Sequence, residues 1–150
     1  MSEDRPTEAV GIARSSVGRI IPTSSDRARE FWLGGASGKL MIAQCDDCGH
    51  RIHPPRPVCP CCYGKAINFT PVSGRATVHS FTINRYQWTK EMPPPYVLAE
   101  VDLEDQEGLR LLTTVTGCAP EDVAIGMKVT AAFVEVEDGW IPVFVPEKRP

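Results

Sequence analysis

Strict alternation is clearest at 96–104, where Val97, Ala99, Val101 and Leu103 share one side of an extended chain and Glu100 and Asp102 take the other. That is the period-two signature of a strand with one buried and one wet face. Four more segments carry strand-like patterning, at about 74–87, 109–117, 127–137 and 140–145. Within 127–137 the apolar phase changes, Val129, Ala131 and Phe133 giving way to Val134 and Val136, which predicts a bulge or sharp bend there. Glu104-Asp105-Gln106-Glu107-Gly108 reads as an acidic hairpin turn and Asp138-Gly139 as a tight one, so the strands they join are antiparallel neighbours. Between the third and fourth segments, CAPEDVAIG puts Pro120 and two acids in a first turn and Gly126 at its end, the punctuation of a short helix.

Three strands, a short helix and two strands is the layout of an OB-fold, a five-stranded, partly open Greek-key barrel. A five-stranded sandwich fragment gives no reason for a helix at that place. Upstream, 1–22 mixes charge with Ser, Gly and Pro and has no hydrophobic period, which predicts a flexible arm. TSSDRAREFW then offers N-cap candidates from Thr23, acid Asp26 in a first turn, and Ala28, Phe31 and Trp32 on roughly one side of a short helix that glycines 34, 35 and 38 end. A helix this short needs another surface for its Phe-Trp edge, in this chain or a partner. The expected organisation is arm 1–22, helix plus cysteine-rich module 23–70, and barrel 71–150, a mainly β protein.

Five of the six cysteines fall in CDDCGHRIHPPRPVCPCCYG, residues 45–64. MSEDRPTEAV lacks the basic start and apolar stretch of a secretory signal, so the expected compartment is a reducing cytoplasm, where clustered cysteines bind metal more often than they form disulfides. Cys45 and Cys48 form one CxxC, and Cys59 and Cys62 a second ten residues on. Two such knuckles face each other around a tetrahedral ion. Structural Zn2+ is the favoured ion; a rubredoxin-like iron site fits the same ligands. Pairing Cys61 with Cys59 would leave one residue between ligands, too short for a knuckle, so the expected ligands are Cys45, Cys48, Cys59 and Cys62, with Cys61 a neighbour. His50 and His53 compete for a place, but four cysteines close the shell and leave no position for water or substrate. The runs Leu40-Met41-Ile42 and Ile67-Asn68-Phe69 flank the cysteines as small ribbon strands. A ribbon of about 25 residues cannot bury enough apolar surface to fold alone, which makes metal binding part of its folding free energy.

The formal charge is −3, and four thiolates around a divalent ion would add about two more negative charges. An acidic chain gains nothing from counterion release, which argues against a nucleic-acid partner. No run approaches the roughly eighteen apolar residues of a membrane span. GGASGKL is one residue short between Gly34 and Gly38, and has Leu40 where a phosphate loop has Ser or Thr. GxSxG and HExxH are absent, His79 has no acid fixed beside it by sequence, and Cys118 reads as a small buried residue. No catalytic set is expected, and no cofactor-binding residue is assigned. Arg75, Arg85 and Lys90 read as solvated surface charge, with CoA phosphates as the alternative. Tyr86 and Trp88 lead into TKEMPPPY, a stiff loop suited to capping the barrel mouth or to contact.

Phe31-Trp32, CDDCG, PPRPVCPCC, GRATVHSFT and DVAIGMKVTAAF, spread over about 25–146, together resemble the zinc-ribbon plus OB-fold family long filed as a domain of unknown function (the thirty-five type). The resemblance implies a rubredoxin-like zinc ribbon with Cys45, Cys48, Cys59 and Cys62 at the zinc positions. It also implies a non-catalytic accessory subunit that binds a thiolase-like acyl-CoA enzyme, such as a thiolase or steroid side-chain aldolase, and helps to form its CoA-thioester site. Cys61 is extra to the family pattern, and Tyr63 stands where a glycine is common. An OB-fold nucleic-acid-binding module is the alternative, and an iron-ribbon electron carrier a third.

Overall fold

The computed structural model describes residue 21 and residues 26–148. The arm 1–22, apart from Ile21, and the N-cap candidates Thr23, Ser24 and Ser25 lie outside those residues. Ile21 is buried, with its Cδ1 close to Gly139.

One helical turn at Asp26–Ala28 leads into α1 (Arg29–Leu33), and a tight 3-10 turn continues through Gly34–Ser37. The α-helix ends where the glycines begin, with Gly34 as its C-cap, and Gly38 ends the 3-10 turn in the left-handed region at φ 67°. Gly34 and Gly35 also serve packing. A Cβ on Gly35 would lie 2.3 Å from Trp140 Cβ and 2.9 Å from Phe133 Cδ1, and one on Gly34 would lie 2.3 Å from the Lys39 carbonyl oxygen. Phe31, packed edge-on against Trp32 at 4.8 Å, is buried in the main core. The apolar helix edge thus finds its surface within this chain, against the strands Gly139–Pro146 and Met41–Cys45.

The ribbon is a three-stranded antiparallel sheet in the order β2-β1-β3, with β1 Met41–Cys45, β2 Arg51–Ile52 and β3 Ile67–Pro71. Both flanking runs expected to be strands are strands, paired from Met41↔Pro71 to Cys45↔Ile67. Five further strands, β4 (Arg75–Asn84), β5 (Tyr96–Leu103), β6 (Arg110–Val115), β7 (Lys128–Val136) and β8 (Gly139–Pro146), close into a barrel in the order β4-β5-β6-β8-β7. The β6–β8 pair is parallel, at Val115↔Phe144, and the other barrel pairs are antiparallel. This is the OB-fold, in a mainly β chain, and β5 behaves as its alternation predicts: Val97, Ala99, Val101 and Leu103 are all buried.

Two expectations change. The bulge lies in β4 and not in β7: pairing with β5 slips between Val78 and Ser80, leaving His79 unmatched, whereas β7 and β8 stay in register from Val129↔Pro146 to Val136↔Gly139. The phase change in β7 has another cause. Its pairing with β4 stops at Thr130, and the rest of β7 runs on with β8 as a hairpin whose Phe133 and Trp140 pack on the Gly35 turn. The helix between β6 and β7 shrinks to one 3-10 turn, Pro120–Asp122, because Val123 leaves it in an extended conformation (φ −73°, ψ 133°) to be buried in the core. Among the described residues, no helix is long and apolar enough to cross a membrane.

Gly35→Ala should cost about 1–3 kcal/mol, the usual range for overpacking, read as a lower urea midpoint at unchanged slope. A midpoint equal to wild type would show that Trp140 moves aside freely.

Candidate metal centre

Two turns of matching construction carry the four sulfurs. In the first, the N–H of Cys45 donates to the His50 carbonyl at 2.9 Å and that of Gly49 to the Cys45 carbonyl at 2.8 Å. In the second, Cys59 N–H donates to the Gly64 carbonyl at 2.9 Å and Tyr63 N–H to the Cys59 carbonyl at 3.0 Å. Each turn needs a left-handed residue after its second cysteine. Gly49 (φ 76°) supplies it in the first and Tyr63 (φ 63°) in the second, where a side chain carries the strain a glycine avoids. The turns meet closely: a Cβ on Gly64 would sit 2.2 Å from Asp47 Oδ2.

Cys45 Sγ lies 3.6 Å from Cys62 Sγ, Cys48 Sγ lies 3.6 Å from Cys59 Sγ, and all four sulfurs fall within 4.8 Å of one another. A tetrahedron with Zn–S near 2.3 Å has edges of about 3.8 Å, so the cluster has the size and donor chemistry of a structural Zn2+ site. Backbone N–H groups already point at the sulfurs: Cys61 N–H at Cys59 Sγ and Gly64 N–H at Cys62 Sγ, both at 3.4 Å. Cys45 and Cys59 are buried; Cys48 and Cys62 face solvent.

Four thiols this close cannot all ionise on their own. Burial raises the Cys59 thiol, but N–H donors from Cys62 and Cys61 and the thiols of Cys48 and Cys62 outweigh it and bring Cys59 down to about 7. The His50 N–H lowers Cys48, yet its contacts with Cys62, Cys59 and Cys45, together with burial, push it up to about 12. A divalent cation removes this conflict by favouring every thiolate at once.

The fifth cysteine, Cys61, is exposed and outside the cluster; its contribution is its N–H. The two histidines are also outside. His53 stacks on Phe31 at a centroid distance of 5.2 Å, and burial lowers its pKa. Half-buried Cys118 has its thiol raised by burial and by Asp122, the opposite of an activated nucleophile. The fold gives His79 the acid that no sequence neighbour supplies: the bulge places its Nδ1 3.0 Å from Asp102 Oδ2, while Arg110 Nε donates to Asp102 Oδ1 at 2.7 Å and holds that carboxyl below its usual range. Arg110 is thereby engaged by an acid. Arg75 pairs with Glu104 at 2.8 Å and Arg85 with Glu121 at 3.4 Å, and Lys90 sits on the exposed loop. Tyr86 and Trp88 stack edge-on at 4.8 Å and remain largely exposed. Sequence reasoning passed over Gln106 and Asp105, which reach from the β5–β6 turn to the ribbon side; the one hint was an amide set among acids.

Residues 32–68 match the family model described as "ChsH2, rubredoxin-like zinc ribbon domain", and residues 69–134 match "ChsH2, C-terminal OB-fold domain". The 3-oxo-4,17-pregnadiene-20-carboxyl-CoA hydratase alpha subunit of Mycobacterium tuberculosis is 35% identical over 127 residues, 85% of this chain and 40% of that one. This chain thus spans about two fifths of the hydratase subunit's length. A DUF35 domain-containing scaffold protein of Methanocaldococcus jannaschii is 36% identical over 103 residues, 67% of this chain and 72% of that one. Among solved structures, a chain of the Ltp2-ChsH2(DUF35) aldolase superposes with a TM-score of 0.73 at 32% identity, covering 84% of this chain and 98% of that one.

Cys61→Ser should retain one zinc per chain by elemental analysis, and Cys48→Ser should lose it or hold it far more weakly. Metal loss in Cys61→Ser with retention in Cys48→Ser would reverse the choice of ligands.

Proposed function

The chain belongs to the DUF35 family of ChsH2-type zinc-ribbon plus OB-fold proteins, and from that membership we propose that it is a non-catalytic accessory subunit of an acyl-CoA enzyme. In this reading it binds a thiolase-like partner, a thiolase or a steroid side-chain aldolase, and helps to form the partner's acyl-CoA site. The carrying observation is the likeness to the aldolase chain, which extends over 98% of that chain at 32% identity.

The chain's own chemistry supports the assignment. Cys45, Cys48, Cys59 and Cys62 would hold Zn2+ as a four-thiolate shell with no position left for substrate. Bound there, the ion supplies folding free energy to a module too small to fold by burial alone. The exposed His79–Asp102–Arg110 set is consistent with this: it ties β4, β5 and β6 together, and among the described residues its hydrogen bonds involve no thiol or hydroxyl that could serve as a nucleophile. The proposed organisation is an arm at 1–22, helix and ribbon at 23–70, and barrel at 71–150.

An affinity-tagged copy expressed in the native host should recover an acyl-CoA lyase or thiolase in stoichiometric amount, whose turnover falls when the chain is stripped away. Repeated recovery of the chain alone would sink the proposal. Salt-sensitive binding to single-stranded oligonucleotides would favour the nucleic-acid module instead.

A further inference from the structure

The β5–β6 turn reaches well outside the two strands it joins. Glu104 accepts from Arg75 Nη2 at 2.8 Å at the start of β4 and lies 3.9 Å from Lys128 Nζ at the start of β7. Asp105 takes both the main-chain N–H and the hydroxyl of Ser73, at 3.0 and 2.9 Å, in the link from ribbon to barrel. Gln106 pairs with Arg51 in both directions: Arg51 N–H donates to Gln106 Oε1 at 2.7 Å, and Gln106 Nε2 donates to the Arg51 carbonyl at 3.0 Å. A side-chain amide thus plays the part of a neighbouring strand for β2.

From Arg51 the hydrogen bonds continue to the cysteines. Arg51 Nη1 donates to Thr70 Oγ1 at 2.8 Å, Thr70 donates to Gln44 Oε1 at 3.0 Å, and Gln44 Nε2 donates to the Gly49 carbonyl at 2.9 Å, inside the first cysteine turn. Arg75 and Glu104 are too exposed for their ion pair to hold much. The part-buried Gln106 pair is the stronger connection.

We propose that the turn Glu104–Gln106 is a clasp that couples the metal-folded ribbon to the barrel, so that metal loading is felt at β5 and β6. The bistable element is the ribbon, ordered with its ion and loosened without it. When β2 loosens, both polar groups of Gln106 lose their partners and the turn they brace opens. This concerns the chain by itself and holds whatever enzyme it joins.

The test is hydrogen exchange on the full chain, zinc-loaded and after stripping with a chelator, followed at the amides of Leu103, Glu104 and Leu109, which bond to the Leu109, Arg75 and Gln106 carbonyls. Stripping should speed their exchange roughly tenfold, the worth of one or two hydrogen bonds, while Val97, Val129 and Phe144 stay protected. In zinc-loaded Gln106→Ala the same three amides should already exchange fast, and zinc should pass to a chelator several-fold sooner; Glu107→Ala should match wild type. Unchanged exchange at the turn after stripping would overturn the proposal. So would uniform exchange across all five barrel strands, which would mean global unfolding, and so would a wild-type zinc release rate in Gln106→Ala. The stripping arm needs no variant and decides the matter if Gln106→Ala fails to fold.

Discussion

The barrel does not complete its own core. Phe31 from the helix, Leu40 just before the first ribbon strand and Ile42 within it are buried in the same cluster as Val78, Val101, Val129 and Phe144, with Phe69 and Val72 packed against it. Full burial of side chains of this size contributes roughly 1.5–3 kcal/mol each, so the three form a sizeable share of what a domain's net stability amounts to. They come from a stretch whose other half, around the cysteines, owns only a small cluster: Ala43, Cys45, Ile52 and Cys59. Residue 42 lies in the barrel's core and residue 43 in the ribbon's, on opposite faces of one strand. Whatever holds the cysteine turns in shape therefore also fixes the ribbon strand that completes the barrel's core.

This arrangement explains which features were legible in the sequence. Period-two alternation in β5, the hairpin turns and the paired CxxC motifs are local signals, and each appears where the pattern put it. The fold followed from their order. What was hidden depends on contacts between segments far apart in the chain. Gly34 and Gly35 read as helix stops, and the α-helix does end at Gly34, but the packing that also demands glycine there is set by Lys39 and Trp140. The phase change in β7 read as a bulge or a sharp bend; there is no bulge, since the strand stays in register with β8, and its side chains turn toward the helix once β4 is left behind. His79 gained its acid through a bulge in its own strand that sets it beside Asp102 of β5, and Gln106 was masked by the acids beside it.

The cysteine cluster was the most legible element because ligand spacing is itself local, and the fifth thiol could be set aside on spacing alone. Tyr63 marks the limit of that reading. Its left-handed backbone follows from the match between the two turns, since it stands where Gly49 stands in the first. A turn that accepts that strain implies a strong external reason to keep its geometry, and a closed metal shell is such a reason. A closed shell leaves no position for substrate at the ion, which agrees with the accessory role proposed above.

X-ray absorption at the zinc edge of the purified chain tests that account most directly. Four sulfur scatterers near 2.3 Å and no lighter neighbour in the first shell are expected. A shell of three sulfurs with an oxygen or nitrogen at about 2.0–2.1 Å would reveal an open position and contradict it.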